Sequence, residues 1–481
     1  MIAELQVFRF LTPIARFLFG YRIEGGGNLP ARGPFIILYA EYSLLCNLYN
    51  AFQTAALLSK KIAKDKVLIF LAEELFTLPY FHSKHLRSFL DVFPLLPQGA
   101  GKYNFNLMTA LEHLNRDGMI ILNPEGDMSR DGRPLPIQGG AAWLGLHGAV
   151  PMVPIVPTAE TYDAWPPWQF WPNTRGRAIV RIGKPFRVTE KPLDRVRDED
   201  MQKAVAKIRA EMSALRFGPG GVAAWTGPPT KQGDVLSGPL PLPLSPDIPP
   251  RPMLHRSSIP AWRQGIPLLL WRCPICHMND SLSQRRRPFK AKTVSCSACG
   301  TVWTVTRIPG HDFRLQVIKG PQALFGLNLS LSGWYDEMKK DFRLGPAIEA
   351  GKEYLPREEM HLQTTGVKLL LDKSNSLRKS WAGREAPDRE FPARAGDWLR
   401  LGPGKLTLTS LRLIWDSPQG CLDFWWPRVK TVHLRSFYLL SIGYGVTPYR
   451  FLFHHESGLK WLTCAGGLVR QNHPHIKISP Y

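Results

Sequence analysis

Four cysteines in two matched pairs constrain this chain more than any other feature. Cys273-Pro-Ile-Cys276 is followed, after nineteen intervening residues, by Cys296-Ser-Ala-Cys299-Gly300. A Cys-x-x-Cys run sits on a tight turn and places two thiolates on one side of a cation. Two such turns close a tetrahedral site. The other three cysteines, Cys46, Cys421 and Cys464, are scattered. This distribution argues against a disulfide framework and for a metal site in a reducing compartment. A closed four-sulfur site leaves no position for substrate, so the expected role is structural, with zinc as the ion that suits the donors.

Around that centre the composition changes several times. Residues 1–217 alternate apolar runs with helical stretches: "PFIILYA", "VLIFLA", "VFPLL", "GMIILN" and "VPIVPT" read as buried strands. "LYNAFQTAALLSKKIAKD", "NFNLMTALEHLNRDG" and "EDMQKAVAKIRAEMSALRF" read as helices. Such alternation predicts an α/β layer structure with helices on a sheet. Twelve prolines then fall between Gly218 and Leu270. That density predicts an extended spacer at 218–267, with a proline-rich protein ligand as the lesser alternative. The cysteine pairs occupy 268–307 and a connector runs over 308–345. From 346 to 481 strand patterns dominate, as in "GKLTLTSLRLIWDS" and "YRFLFHHESGLKWLTCA".

Charge bears on partners. The chain has a net charge of +22, which favours anionic partners, either nucleic acid or an acidic lipid surface. The basic stretch "SQRRRPFKAK" between the cysteine pairs offers few aromatics for base stacking, which weighs against nucleic acid. No segment has the ~20 apolar residues of a spanning helix. Near the N-terminus Val7, Phe10, Leu11, Ile14, Phe17 and Leu18 share one helical face, with Arg9, Pro13 and Arg16 opposite. That pattern suits a helix lying in a headgroup layer and equally one packed on a core. These features predict a cytoplasmic protein peripheral on the inner face of a membrane.

The stretch "NPEGDMSRDGRPLPIQGGAAWLGLHGAVPMVPIVP" (123–157), with "AEELFTLPYF" (72–81) and "YRIEGGGNLPARGPFIILYAEYSLLC" (21–46), resembles the glycerolipid acyltransferase family, the lysophosphatidic acid acyltransferase or PlsC-like domain. The resemblance implies an α/β acyltransferase-like domain over 1–217. It also implies acyl-CoA or acyl-carrier protein as co-substrate, and a lysophospholipid or glycerol phosphate as acceptor. In the family a histidine acts as general base and an aspartate, four residues intervening, orients it. Here Glu41 and Cys46 stand at those positions, with Ser43 and Leu45 still agreeing. Pro97 and Met128 replace the arginines that hold substrate phosphate in the second and third motifs. Glu125, Gly126, Ser129, Asp131 and Gly132 are retained, and Lys102, Arg130 and Arg133 are nearby cations. The implied substrate-binding residues are therefore Glu125, Gly126, Ser129, Arg130 and Lys102. Two outcomes stay open: altered catalysis through a carboxylate base, or an acyl-lipid-binding protein without turnover.

Other candidates have plainer readings. His82 and His85 flank a loop, His113 and His147 lie in helical stretches, and an isolated Cys46 after an apolar strand is usually inert. The cysteine-rich segment resembles a zinc ribbon. The last region resembles a GRAM or pleckstrin-homology-like barrel, which implies a membrane or protein partner. Arg412, Arg428, Lys430 and Arg435 are its candidate phosphate contacts.

Overall fold

The strand Phe35–Tyr39 (β2) is five apolar or aromatic residues long and buried throughout, as a strand covered on both faces must be. In the computed structural model it is the middle of a seven-stranded sheet with Arg22–Glu24 (β1), Val67–Ala72 (β3), Leu90–Leu95 (β4), Met119–Leu122 (β5), Met152–Pro157 (β6) and Ile179–Ile182 (β7). The order is β1-β7-β6-β2-β5-β3-β4. The structure describes residues 20–40, 67–72, 90–95, 102–169, 177–226, 253–254, 260–285, 292–340, 342, 348–349, 354–372, 398–445 and 447–478.

Strands β2 to β6 run parallel, with Leu38 opposite both Leu122 of β5 and Pro154 of β6. The chain therefore leaves β2 at Ala40 and β5 at Asn123 along the same sheet edge, the edge where open α/β sheets take their ligands. Strand β7 turns back antiparallel to β6. Its charged flanks hid it from the apolar-run reading. Helices Lys102–Asn115 (α1), Gly139–Gly148 (α2), Ala159–Ala164 (α3) and Asp198–Phe217 (α4) accompany the sheet. One core joins Ile36, Leu38 and Ile120 to Ala110 and Leu114 of α1, Ala142 and Leu144 of α2, and Ile208 and Met212 of α4. Helix α2 comes so close to β6 that a Cβ at Gly145 would sit 2.6 Å from the Met152 methyl.

A second sheet, antiparallel, contains Leu282–Arg285 (β9), Lys292–Cys296 (β10), Val302–Thr306 (β11), Arg314–Lys319 (β12) and Asn328–Ser330 (β13), in the order β13-β12-β11-β10-β9. The segment expected to connect 308–345 thus extends the cysteine-bearing sheet by two strands. It continues into helix Leu331–Lys339 (α7), capped by the Ser330 hydroxyl accepting from Gly333 N–H at 3.0 Å.

The third sheet has the long strands Glu359–Asp372 (β15) and Trp398–Thr409 (β16) at its centre. Arg412–Ser417 (β17), Gly420–Trp425 (β18), Val429–Ser436 (β19), Leu439–Tyr444 (β20) and Thr447–Leu452 (β21) complete the order β18-β17-β16-β15-β21-β20-β19. Short strands Met253–Leu254 (β8), Ile348–Glu349 (β14) and Lys477–Ile478 (β22) add to it. Strands β16 and β17 form a hairpin, Leu408 opposite Leu413, within the strand-patterned stretch "GKLTLTSLRLIWDS". Helix Gly458–Asn472 (α8) packs across β15, β19 and β20. Among the described residues no helix is long and apolar enough to cross a membrane.

One apolar core crosses the expected boundaries. It includes Ala159 and Tyr162 of α3, Trp168, the cysteine-bearing sheet and the third sheet together. Both ends of the proline-rich stretch are built into it. Residues Gly221–Thr226 form helix α5, with Trp225 buried, and Ala261–Gln264 form α6 just before the buried Ile266 and Leu268. Tyr162 meets Trp168 at 5.5 Å and Trp225 at 5.2 Å, and Trp168 meets Phe313 at 5.8 Å and Phe437 at 6.5 Å. These edge-on aromatic contacts tie all three sheets to one junction. The buried Trp225 and Ile266 outweighed the local proline content.

Candidate functional site

The two cysteine turns have one design. His277 N–H donates to the Cys273 carbonyl at 2.9 Å, and Gly300 N–H donates to the Cys296 carbonyl at 3.1 Å. Within each turn an amide also points at a sulfur: Ile275 N–H to Cys273 Sγ and Cys299 N–H to Cys296 Sγ, both 3.5 Å. The residue after each pair is left-handed, His277 at φ 58° and Gly300 at φ 72°. Glycine takes that conformation freely, whereas histidine does so at a cost offset here by Arg272 Nη2 at 2.7 Å from its Nδ1.

All four sulfurs lie within 4.8 Å of one another. Cys273 and Cys299 are 3.9 Å apart, and Cys276 and Cys296 3.7 Å. Metal–sulfur bonds of about 2.3 Å in a tetrahedron require sulfurs about 3.8 Å apart, so the donors fit a closed four-thiolate ion. Side-chain hydroxyls support the sulfurs, with Ser281 Oγ 3.3 Å from Cys296 Sγ and Thr301 Oγ1 3.2 Å from Cys299 Sγ. Hydrogen bonding with Cys276 pushes Cys273 up, and hydrogen bonding with Cys273 pulls Cys296 down. Such a centre cross-links; it has no vacant position for a reactant.

The turn after β5 was the second candidate. Asn123 Oδ1 accepts Glu125 N–H at 2.9 Å, and Gly126 turns the chain with φ 70°. Glu125 is buried. One carboxylate oxygen meets Arg216 Nη2 of α4 at 2.8 Å and the other accepts Leu135 N–H at 3.2 Å. Ser129, also buried, donates to the Arg133 carbonyl at 2.6 Å. Arg130 donates to both Asp127 oxygens at 3.1 Å and to the Leu434 carbonyl of β19 at 2.8 Å. Arg133 forks onto Asp336 of α7 at 2.6 and 2.8 Å, with Asp131 on its Nε at 2.7 Å. Burial alone would lower the Arg133 pKa, but the Asp336 hydrogen bonds and the Asp131 charge raise it well above the ordinary value. The turn thus directs its carboxylate and both guanidinium groups to partners in this chain.

The structure brings Glu125, Gly126, Ser129 and Arg130 together on this turn, with Met128 buried beside them. Lys102 is the first residue of α1. Glu41, Cys46, Pro97, His82 and His85 lie outside the described residues. His147 stacks against Trp143 at 4.2 Å, the packing role a helical histidine suggests. In the third sheet Arg412 is held by both oxygens of Glu358 at 2.9 Å and by Asp423 at 2.8 Å. Arg428 lies over the Tyr444 ring and is exposed, Lys430 is exposed, and Arg435 is half-buried.

Sequence reasoning missed Arg216, Asp336 and the buried Lys460. A signal for Arg216 existed: Ala204, Ile208, Met212 and Arg216 continue one stripe at four-residue spacing, which carries the arginine into the core.

No family model and no curated protein matches this chain. Among solved structures it is similar to the crystal structure of the 1-acyl-sn-glycerophosphate (LPA) acyltransferase PlsC from Thermotoga maritima. That match has 21% identity over 43% of this chain and 76% of the other, with a TM-score of 0.30.

Proposed function

We propose that this chain is an acyltransferase-like lipid-binding protein of the membrane surface in which acyl transfer has been lost. The observation that carries this reading is the internal commitment of the turn at 123–137. In the family one arginine of this turn, at the place of Met128, and a second at the place of Pro97 hold substrate phosphate; the charges left on the turn are spent inside the chain, Glu125 on Arg216, Arg130 on Leu434 and Arg133 on Asp336. Glu41 and Cys46 in place of the histidine and aspartate remove the general base and its orienting partner, a loss of about 10²- to 10⁴-fold from the base alone. The net charge of +22 supplies attraction to an acidic lipid surface on the cytoplasmic face.

The other parts serve that role. Cys273, Cys276, Cys296 and Cys299 would hold a structural zinc ion, which supplies a cross-link in a zinc-ribbon-like sheet. The third sheet, seven antiparallel strands in the order β18-β17-β16-β15-β21-β20-β19 followed by α8, supports a pleckstrin-homology-like reading. It would recruit the chain to lipid or to a protein.

The test uses the full chain with radiolabelled acyl-CoA and acyl-carrier protein, a panel of lysophospholipids and glycerol phosphate, and flotation with anionic vesicles. The expected outcome is co-flotation and acyl-lipid binding with no transfer product. Turnover abolished by Glu41→Gln would overturn the loss of catalysis and establish a carboxylate base instead.

A further inference from the structure

The first cysteine turn does more than present two sulfurs. Two residues beyond Met278, whose carbonyl accepts Cys273 N–H at 2.9 Å, Asp280 adopts the left-handed region at φ 52° and donates its N–H to the Trp271 carbonyl at 2.8 Å. Its side chain reaches away from the sulfurs to Lys460 of α8, where Oδ2 meets Nζ at 2.7 Å. Lys460 has no exposed side-chain surface, and its second carboxylate partner, Glu456, is buried one helical turn before it. A lysine buried to this degree needs both carboxylates in place, because a buried charge that loses a partner is strongly destabilising.

The chain leading into the cysteine turn grips the start of α8 as well. Ser457, the cap of α8, donates its hydroxyl to the Leu268 carbonyl at 2.5 Å while accepting Leu459 N–H. Ala261 N–H donates to the His454 carbonyl at 2.6 Å, and Gln264 donates to that of His455. The first turn of α8 is therefore held by residues 261–280, and the other side of the helix closes the third sheet. The segment 273–280 has no regular element of its own. The sulfur cluster ties its Cys273–Cys276 end to the β10–β11 hairpin, while just beyond Asp280 the Ser297 N–H donates to the Ser281 carbonyl at 2.8 Å.

We propose that occupancy of the four-cysteine centre sets the docking of α8, with Asp280 and Lys460 carrying the coupling. With the metal bound, Cys273 and Cys276 are tied to Cys296 and Cys299, Asp280 is held at Lys460, and α8 stays seated. When the metal leaves, the turn relaxes, Asp280 withdraws, and the buried ammonium is left with Glu456 alone. Helix α8 then opens from the third sheet. The inference rests on the metal reading of the four cysteines and adds to it a consequence for a distant helix.

The experiment measures zinc content and amide hydrogen exchange on the full chain before and after chelation. The expected result is one zinc per chain and, on its removal, a rise in exchange over 458–472 of roughly tenfold or more, with α4 unchanged. Asp280→Asn should raise α8 exchange by a similar factor while one zinc stays bound. Should that variant fail to fold, the double variant Glu456→Gln/Lys460→Met decides: with no buried ammonium awaiting Asp280, its α8 should stay protected after chelation. A chain that neither contains nor takes up zinc overturns the metal reading and the coupling together. Zinc bound, with α8 exchange indifferent to its removal, overturns the coupling alone, as does opening of the double variant to the same extent as the parent.

Discussion

Replacing Glu125 by glutamine asks whether the turn after β5 is a strut or a ligand-facing loop. Glu125 and Arg216 are each 1% exposed and meet at 2.8 Å. Unit charges about 4 Å apart attract by about 4 kcal/mol at an effective dielectric of ~20. Removing one member of such a pair costs about 3–5 kcal/mol, since the partner is left buried and uncompensated. Glutamine keeps an acceptor for Leu135 N–H, so the loss belongs at the lower end, about 3 kcal/mol. At about 2–4 °C per kcal/mol, the melting temperature should fall by about 6–12 °C. The double variant Glu125→Leu/Arg216→Met removes both charges and should recover most of that loss, because apolar replacement of a buried pair is often neutral. Calorimetric melting of the parent, Glu125→Leu, Arg216→Met and the double variant closes the cycle. A Glu125→Gln protein melting within about 1 °C of the parent would refute the strut, as would a double variant no better than the singles.

Three further outcomes follow from the same geometry. Asp312, wholly buried, is raised to about 7 chiefly by burial, against hydrogen bonds from Ser332 and with the Asp131 charge adding to the rise. Because that value lies above the unfolded carboxyl near 3.9, its contribution to stability is present at low pH and is lost as pH rises from about 4 to about 7. Asp312→Asn should therefore gain melting temperature relative to the parent across that window; a constant difference would refute the assignment. Asp336→Asn breaks a partly exposed ion pair and should cost about 1 kcal/mol or less, a small shift in urea midpoint; a loss as large as that at Glu125 would contradict the exposures of 27% and 44%. Gly300→Ala meets nothing within 4 Å and so should cost only the left-handed backbone, about 1 kcal/mol, read as roughly fivefold weaker zinc retention against a chelator. No change, or complete loss, would refute a left-handed cost of this size at Gly300.

What was legible in the sequence followed from local pattern. "FIILY" and "MIIL" are strands because an unbroken apolar run buried on both faces has no other use in an α/β layer. The cysteine spacing announced its own geometry, since thiolates on two tight turns can satisfy one ion only by meeting. The strand pattern of "GKLTLTSLRLIWDS" is matched by β16 and β17, with Leu406, Leu408 and Leu413 buried. What was not legible depends on partners far away in the chain. Arg216 and Glu125 are 91 residues apart, and Lys460 and Asp280 are 180 apart. A charged side chain on an apolar helix stripe says that a partner exists without saying where. The proline-rich stretch misled at its ends for the same reason, because Trp225 is buried against Tyr162 and Phe217, which lie outside its own sequence.

The turn at 127–133 spends its charged side chains inside the chain. A loop that grips phosphate keeps donors unspent and pointed outward, so that binding replaces water rather than a protein contact. Here Arg130 reaches β19 and Arg133 reaches α7, while Gly132 lies so close to Tyr162 and Trp225 that a Cβ would come within 2.7 Å of both rings. Each of these features would be retained by selection for packing alone. Packing alone therefore explains the Ser-Arg-Asp-Gly turn, with no ligand required. An anion that wanted Arg133 would have to displace a bidentate carboxylate already in place. On the proposed reading, the +22 charge would meet an anionic surface through cations outside this turn, such as the exposed Lys430 on β19.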